Sequence, residues 1–442
     1  MMHTVSIVIK LLVMGILLSS PTAVLAYPLD GADETGIKRL LGYAAAQESG
    51  RPPLLPLGAL LKTDNIALHL EGVTADIHQA NQSASLQAAI DSIFKTRDPS
   101  YSVMVIDYAD EKNIVWAGRN IEKTQNVGSV GKVITMLGMF DALAKAFPKT
   151  EDRQRILRET QVQAGDWVIY DEHKVPKFNA TSKSNQFSIL NPNDVFSLSE
   201  WLDHMVSASA NGAGSVVWRE AMLMRHFGEQ YPVSAEKAQA FFKETPRKQL
   251  AELALAVSFE PVLSAELNPK QFQQGSFWTS TGKRYIPGTE SYASTKMLAS
   301  YLLRMEQGRL VDPWSSLEIK RYLYMTKRRY RYVYAPELNK SAVFFKSGSL
   351  YQCQPEEGYR CAKYMGNKRN FMNSIAVVES LPGDAKPYRY LVALISNVLK
   401  VNSAWDHSRL AAAIHQAVLT REKVIVQDEG SAEQVKKSGE SD

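Results

Sequence analysis

The stretch Gly128-Ser129-Val130-Gly131-Lys132-Val133-Ile134-Thr135-Met136 opens an apolar run that continues to Phe147 without a proline. Its length favours a helix over a strand. Ser129 falls in the first turn, and Lys132, three residues on, shares its face. An ammonium held there loses hydration. That favours its neutral form and lets it act as a base on a neighbouring hydroxyl. A serine fixed at a helix start beside a desolvated lysine is a candidate nucleophile.

Working back from this run, Tyr101–Tyr108 is rich in β-formers, Ala109 to Asn113 is a polar turn, and Ile114–Ala117 is apolar again, which predicts a hairpin. Leu86, Ile90, Ile93 and Phe94 have helical spacing. Residues 27–85 read as an N-terminal extension separate from the main fold. It holds one expected helix, Thr35–Ser49, stopped by Gly50 and by Pro52-Pro53. Residues 1–26 carry an apolar run, Val5–Leu18, and end in Val24-Leu25-Ala26. That pattern reads as a secretory signal cleaved after Ala26. With Lys10 interrupting it, the run is short of the roughly 20 apolar residues a membrane span needs. The chain is thus expected to be exported, to the periplasm or beyond, without a stable span after cleavage.

Downstream, residues 151–195 are polar and resist assignment. Ser197 and Glu200 form a capping-box pattern before a helix that ends near Ser207. Further helices are expected after Asn211, across Ala235–Ala256 with a break at Thr245-Pro246, and across Tyr292–Gln307, with a loop-rich stretch at 258–290. Ala342–Phe345, Ser374–Val378 and Tyr390–Ile395 read as strands, and Trp405–Thr420 as a closing helix. The tail, residues 421–442, is polar and expected to be disordered. Strands and a helix at both ends with helices between them give an α+β class. The expected architecture is one antiparallel sheet built from both chain ends, flanked by helices as a three-layer sandwich, with an all-α lobe inserted.

Three short motifs punctuate this layout: Ser129-Val130-Gly131-Lys132, Ser209-Ala210-Asn211 and Lys346-Ser347-Gly348. Each is weak alone. Ser-x-x-Lys recurs at Ser234–Lys237 and Ser280–Lys283, and Lys-Ser-Gly recurs at Lys437–Gly439. Context separates them. Ser234 starts a polar helix, Ser280 lies in a Gly-rich loop, and Lys437 lies in the tail, whereas Lys346 ends an apolar strand.

Taken together, in this order and in these settings, the motifs resemble those of the serine β-lactamases and penicillin-binding proteins, most closely the class A β-lactamases. The resemblance spans residues 86–420, the expected catalytic domain. It implies that Ser129 attacks an amide carbonyl to form an acyl-enzyme, that Lys132 takes or shuttles the proton, and that Ser209 relays a proton to the leaving nitrogen. It further implies that Asn211 binds the substrate side-chain amide and Lys132. Lys346 would supply positive potential, Ser347 would bind the substrate carboxylate, and Gly348 would let the substrate lie along the strand. The backbone N–H groups of Ser129 and Ser349 would form the oxyanion hole. Class A enzymes also carry a glutamate, in a Glu-Pro-x-Leu-Asn pattern, that activates the deacylating water. Here the pattern is split between Glu260-Pro261-Val262-Leu263 and Glu266-Leu267-Asn268. Glu260 is the preferred candidate for that base. Without a positioned base the acyl group persists, as in penicillin-binding peptidases.

The implied substrate is a β-lactam or, in the alternative, a peptidoglycan stem peptide hydrolysed by a D,D-peptidase. A non-catalytic binder of cell-wall fragments is a third reading. The two cysteines, Cys353 and Cys361, are expected to pair in an oxidising compartment, two free thiols being the other possibility. The net charge of +5 is mild, and the basic run Lys327–Arg331 reads as a solvated strand or loop. Export argues against nucleic acid as a partner. The eight histidines show neither His-x-His-x-Asp nor His-Glu-x-x-His, so no metal or other cofactor is expected.

Overall fold

The computed structural model describes residues 29–52, 54–77, 80–324 and 331–421. The expected leader at 1–26 lies outside them. So do Lys327 to Tyr330 of the basic run and, Arg421 apart, the expected tail. Among the described residues no helix is long and apolar enough to cross a membrane.

The elements used below, in chain order, are the helix α1 (Arg39–Ser49), strand β1 (Asn81–Gln82), helix α2 (Ala84–Phe94) and strands β2 (Ser102–Asp107) and β3 (Val115–Arg119). Then come six helices: α3 (Lys132–Ala146), α4 (Leu198–Val206), α5 (Asn211–Phe227), α6 (Ala235–Glu244), α7 (Arg247–Ser264) and α8 (Thr295–Glu306). Helix α9 (Pro313–Tyr324), strands β4 (Ala342–Gln352), β5 (Arg369–Glu379) and β6 (Arg389–Asn397), and helix α10 (Ser403–Thr420) complete the set.

One six-stranded sheet runs β1-β3-β2-β6-β5-β4. The chain ends meet where β2 pairs antiparallel with β6, Val103 opposite Leu394. Alternate residues along each strand face opposite layers, as a period of two requires. Val103 and Val105 of β2 pack with Leu86 and Ile90 of α2 and Leu410 and Ile414 of α10 on one side. Met104 and Ile106 face the larger core, which holds Val133, Leu137 and Phe140 of α3. The sheet therefore has helices on both faces, the expected three-layer α+β sandwich.

The lobe between β3 and β4 is mainly helical. Residues 151–195, unassigned from sequence, supply the helix Thr150–Glu159 and a hairpin of Lys174–Asn179 with Ser184–Ile189. The N-terminal extension is not a separate leader. Ile37, Leu40, Leu61, Ile66 and Leu70 belong to the same core as α3. Buried charges also hold it down: Arg39 on α1 donates to Asp203 on α4 at 2.6 Å. Lys320 on α9 donates to the Ala67 carbonyl at 2.7 Å and to Glu379 at 2.6 Å. Burial works against the Glu379 carboxylate, yet the Lys320 charge beside it brings its pKa down to about 2.

Candidate active site

Three elements converge around Ser129. Ser129 lies in the tight turn Gly128–Gly131, which runs directly into α3. Lys132 opens that helix and is completely buried. Its ammonium donates to Ser129 Oγ at 3.0 Å, to the Ser209 carbonyl at 2.9 Å and to Asn211 Oδ1 at 2.8 Å. It also sits 4.6 Å from the centre of the Trp278 ring. A buried ammonium is tolerated only when paired or hydrogen-bonded in this way.

The second element is the α4–α5 connection. The capping box expected at Ser197 and Glu200 is present and fixes the start of α4. Beyond α4, Ser209 takes a left-handed backbone, φ 58°, an uncommon state for a residue with a side chain. That twist lets two lysines read one serine. Lys132 binds its carbonyl, and Lys346 donates to its hydroxyl at 2.8 Å. Asn211 then begins α5, whose next amide, Gly212 N, donates to Asp171 Oδ2 at 2.7 Å. Burial opposes the Asp171 carboxylate, but its bonds to His173 and Gly212 hold it below the ordinary range. A carboxylate there also suits the positive end of the helix dipole.

The third element is β4. Lys346 and Ser347 are buried, and Gly348 passes so close to the nucleophile turn that no side chain fits. A Cβ on Gly348 would lie 2.6 Å from Ser129 N and 2.7 Å from Val130 N. The sheet secures the same junction from the next strand, where Asn373 Nδ2 donates to the carbonyls of Asn126 and Val127 at 3.1 Å each.

Ser129, Lys132, Ser209, Asn211, Lys346, Ser347, Gly348 and Ser349 are thus brought together. Glu260 is not, which corrects its assignment as the water-activating base. It lies on α7, in a helix rather than a loop, because α7 continues through Pro261 to Ser264. Its carboxylate bonds Arg225 and lies 3.6 Å from Lys145. Lys145 is 13 residues beyond Lys132 on one helix, roughly 20 Å along its axis at 1.5 Å per residue. The Arg225 hydrogen bond holds the carboxyl below its usual range, consistent with a surface ion pair. Glu266 is also engaged elsewhere, with Arg304 at 3.0 Å and Arg309 at 2.7 Å.

The two other Ser-x-x-Lys matches have structural settings of their own, and Lys437–Gly439 lies outside the described residues. Ser234 caps α6 by accepting from Lys237 N. Ser280 begins a short helix, Ser280–Tyr285, rather than lying in a loop. Cys353 and Cys361 are bonded, closing a loop beyond the end of β4.

Several site residues escape sequence reasoning. Trp278 lies against Lys132, and Gln274, 3 % exposed, packs on Gly131. Arg331 is the larger surprise. Read as part of a solvated run, it is instead 7 % exposed with φ 67°, and its guanidinium faces the site. It donates to Ser347 Oγ at 2.7 Å, Ser349 Oγ at 3.1 Å and Tyr364 Oη at 3.0 Å. The one available signal was aromatic interleaving in the basic run, which does not single out the last arginine. Among the described residues no group of three or more His, Cys, Asp or Glu could hold a metal.

Residues 85–380 match the family described as the "Beta-lactamase enzyme family". The chain belongs to that family. Solved structures similar to this family member include PBP-A, with 13 % identity, 76 % of this chain and 97 % of that one covered, and a TM-score of 0.44. A β-lactamase from Sphaerobacter thermophilus DSM 20745 has 13 % identity, coverage of 76 % and 96 %, and a TM-score of 0.45. The TLA-3 extended-spectrum β-lactamase has 13 % identity, coverage of 76 % and 97 %, and a TM-score of 0.48. No curated protein matches the sequence.

Proposed function

We propose that this chain is an exported serine acyl-transfer enzyme that opens β-lactam amides at Ser129 and releases the acyl group slowly. Toward β-lactams it then behaves as a penicillin-binding peptidase, whose own substrate is a peptidoglycan stem peptide, rather than as a resistance enzyme. The observation that carries the first half is the hydrogen-bonded line Ser129–Lys132–Ser209–Lys346. In this reading Lys132 reacts as the neutral amine: it keeps its N–H bonds to the Ser209 carbonyl and Asn211 and accepts the Ser129 proton as the hydroxyl attacks the carbonyl carbon. As the C–N bond breaks, Ser209, held by Lys346, gives its hydroxyl proton to the departing nitrogen and takes back the proton collected by Lys132, so both groups end as they began. The hydroxyls of Ser347 and Ser349, backed by Lys346 and Arg331, suit the substrate carboxylate.

The second half rests on the two glutamates. Both expected candidates for water activation are tied to arginines away from Ser129, and the face of Lys132 carries the Trp278 indole. Deacylation by water loses its general base, a contribution typically worth about 10²–10⁴-fold. Export follows from the leader read at residues 1–26 and fits the disulfide. Mixing purified protein with a chromogenic cephalosporin tests the reading. A stoichiometric burst followed by little further hydrolysis is expected. Sustained rapid turnover would overturn the slow-release half, and the absence of any burst or turnover would overturn the whole.

A further inference from the structure

Arg331 donates to three hydroxyls at once, on Ser347, Ser349 and Tyr364. In each bond the hydroxyl oxygen is the acceptor, so each keeps its own proton to give. The two serines belong to β4. Tyr364 comes from the loop after the disulfide, and its position is well fixed. Its backbone is left-handed at φ 64°, and its carbonyl accepts from Ser403 N at 3.1 Å and Ser403 Oγ at 3.2 Å. The Arg331 guanidinium lies 4.8 Å from the centre of its ring, and Tyr351 packs edge-on against it. Among the described residues none accepts from the Tyr364 hydroxyl. Burial alone would make this phenol less acidic, but the Arg331 charge beside it makes it more so. A more acidic O–H is a better donor to an anion.

We infer that Tyr364 is a specificity-determining residue for the anionic group of the substrate, a third hydroxyl donor that completes the cluster of Ser347 and Ser349 around Arg331. The inference rests on Ser129 being acylated by β-lactams, as proposed above. An anion there would accept from hydroxyls whose oxygens are already polarised by one guanidinium, and each of the three hydroxyl protons would find an acceptor. Tyr364 would thereby favour substrates bearing a carboxylate over neutral ones. It would have little effect on the chemistry at Ser129 itself.

The test compares the second-order acylation of wild type and Tyr364→Phe by benzylpenicillin and by its neutral methyl ester, followed by intact-protein mass spectrometry. Loss of one hydrogen bond to a charged group is expected to slow acylation by benzylpenicillin roughly tenfold. Acylation by the ester should change less than about twofold, since no anion is present to lose a partner. Equal slowing with both probes would assign Tyr364 a merely structural role and overturn the inference, as would an unchanged rate with benzylpenicillin. Failure of the wild type to be labelled by either probe would overturn the reading of Ser129, and this inference with it.

Discussion

Replacing Gly348 by alanine tests the junction on which the site depends. The added methyl carbon would sit 2.6 Å from Ser129 N and from the Val127 carbonyl, and 2.7 Å from Val130 N. Ordinary contact begins at 3.4 Å, so β4 and the nucleophile turn must separate by about 0.8 Å. All three neighbours are backbone, and the turn is anchored by Asn373, so no flexible side chain can yield. Overpacking of this kind costs about 1–3 kcal/mol of stability. The kinetic effect is larger, because a misplacement near 1 Å between reacting groups can cost about 10²-fold. Gly348→Ala should therefore unfold at modestly lower urea while its acylation by a fluorescent penicillin falls by about 10²-fold. Acylation at the wild-type rate would mean that β4 need not lie against Ser129.

Lys132→Ala should reduce acylation by about 10²–10⁴-fold, the range for loss of a general base, measured by the same label. Arg39→Ala breaks a buried pair between the extension and the helix that leads to Ser209. It should cost about 3–5 kcal/mol in urea unfolding, and a loss below 1 kcal/mol would show that this pair does not hold the extension to α4. His407 is buried between Ser374 and Ser396, at 3.0 and 2.9 Å. Burial, with the Arg331 charge adding to it, brings its pKa down from 6.5 to about 3. The folded protein keeps this ring neutral where the unfolded chain protonates it. Stability should then be full above pH 6.5 and fall below it, at up to about 1.4 kcal/mol per pH unit until the folded pKa is reached. His407→Gln should flatten that dependence in urea titrations between pH 7 and 4.5.

The three motifs were legible because each adjoins a stretch whose periodicity is strong, although the third lies within β4, which runs on to Gln352, and not at the strand's end as expected. The apolar run after Lys132, the capping box before Ser209 and the alternation before Lys346 place them without any knowledge of their partners. The glutamates misled because spacing alone cannot tell a loop from a helix that tolerates a proline. Residues 258–290 read as loop-rich, yet α7 runs through Pro261 and turns Glu260 toward Arg225. Arg331 and Tyr364 were invisible for a different reason. Neither belongs to a periodic element, and both have left-handed backbones that no local pattern around an arginine or tyrosine announces. Burial of the extension was not legible, and its sequence reads as separate from the main fold. Ile37 and Leu40 lie in the approach to α1 and in its first turn, but nothing in the sequence pairs Arg39 with Asp203, 164 positions away.

The most direct measurement is a time course of intact mass and peptide mapping after benzylpenicillin is added to the purified protein. One equivalent of acyl group should appear on the peptide containing Ser129, be absent from Ser129→Ala, and decay slowly. An adduct on another residue, or none at all, would contradict an account in which Ser129, Lys132, Ser209 and Lys346 work as one site.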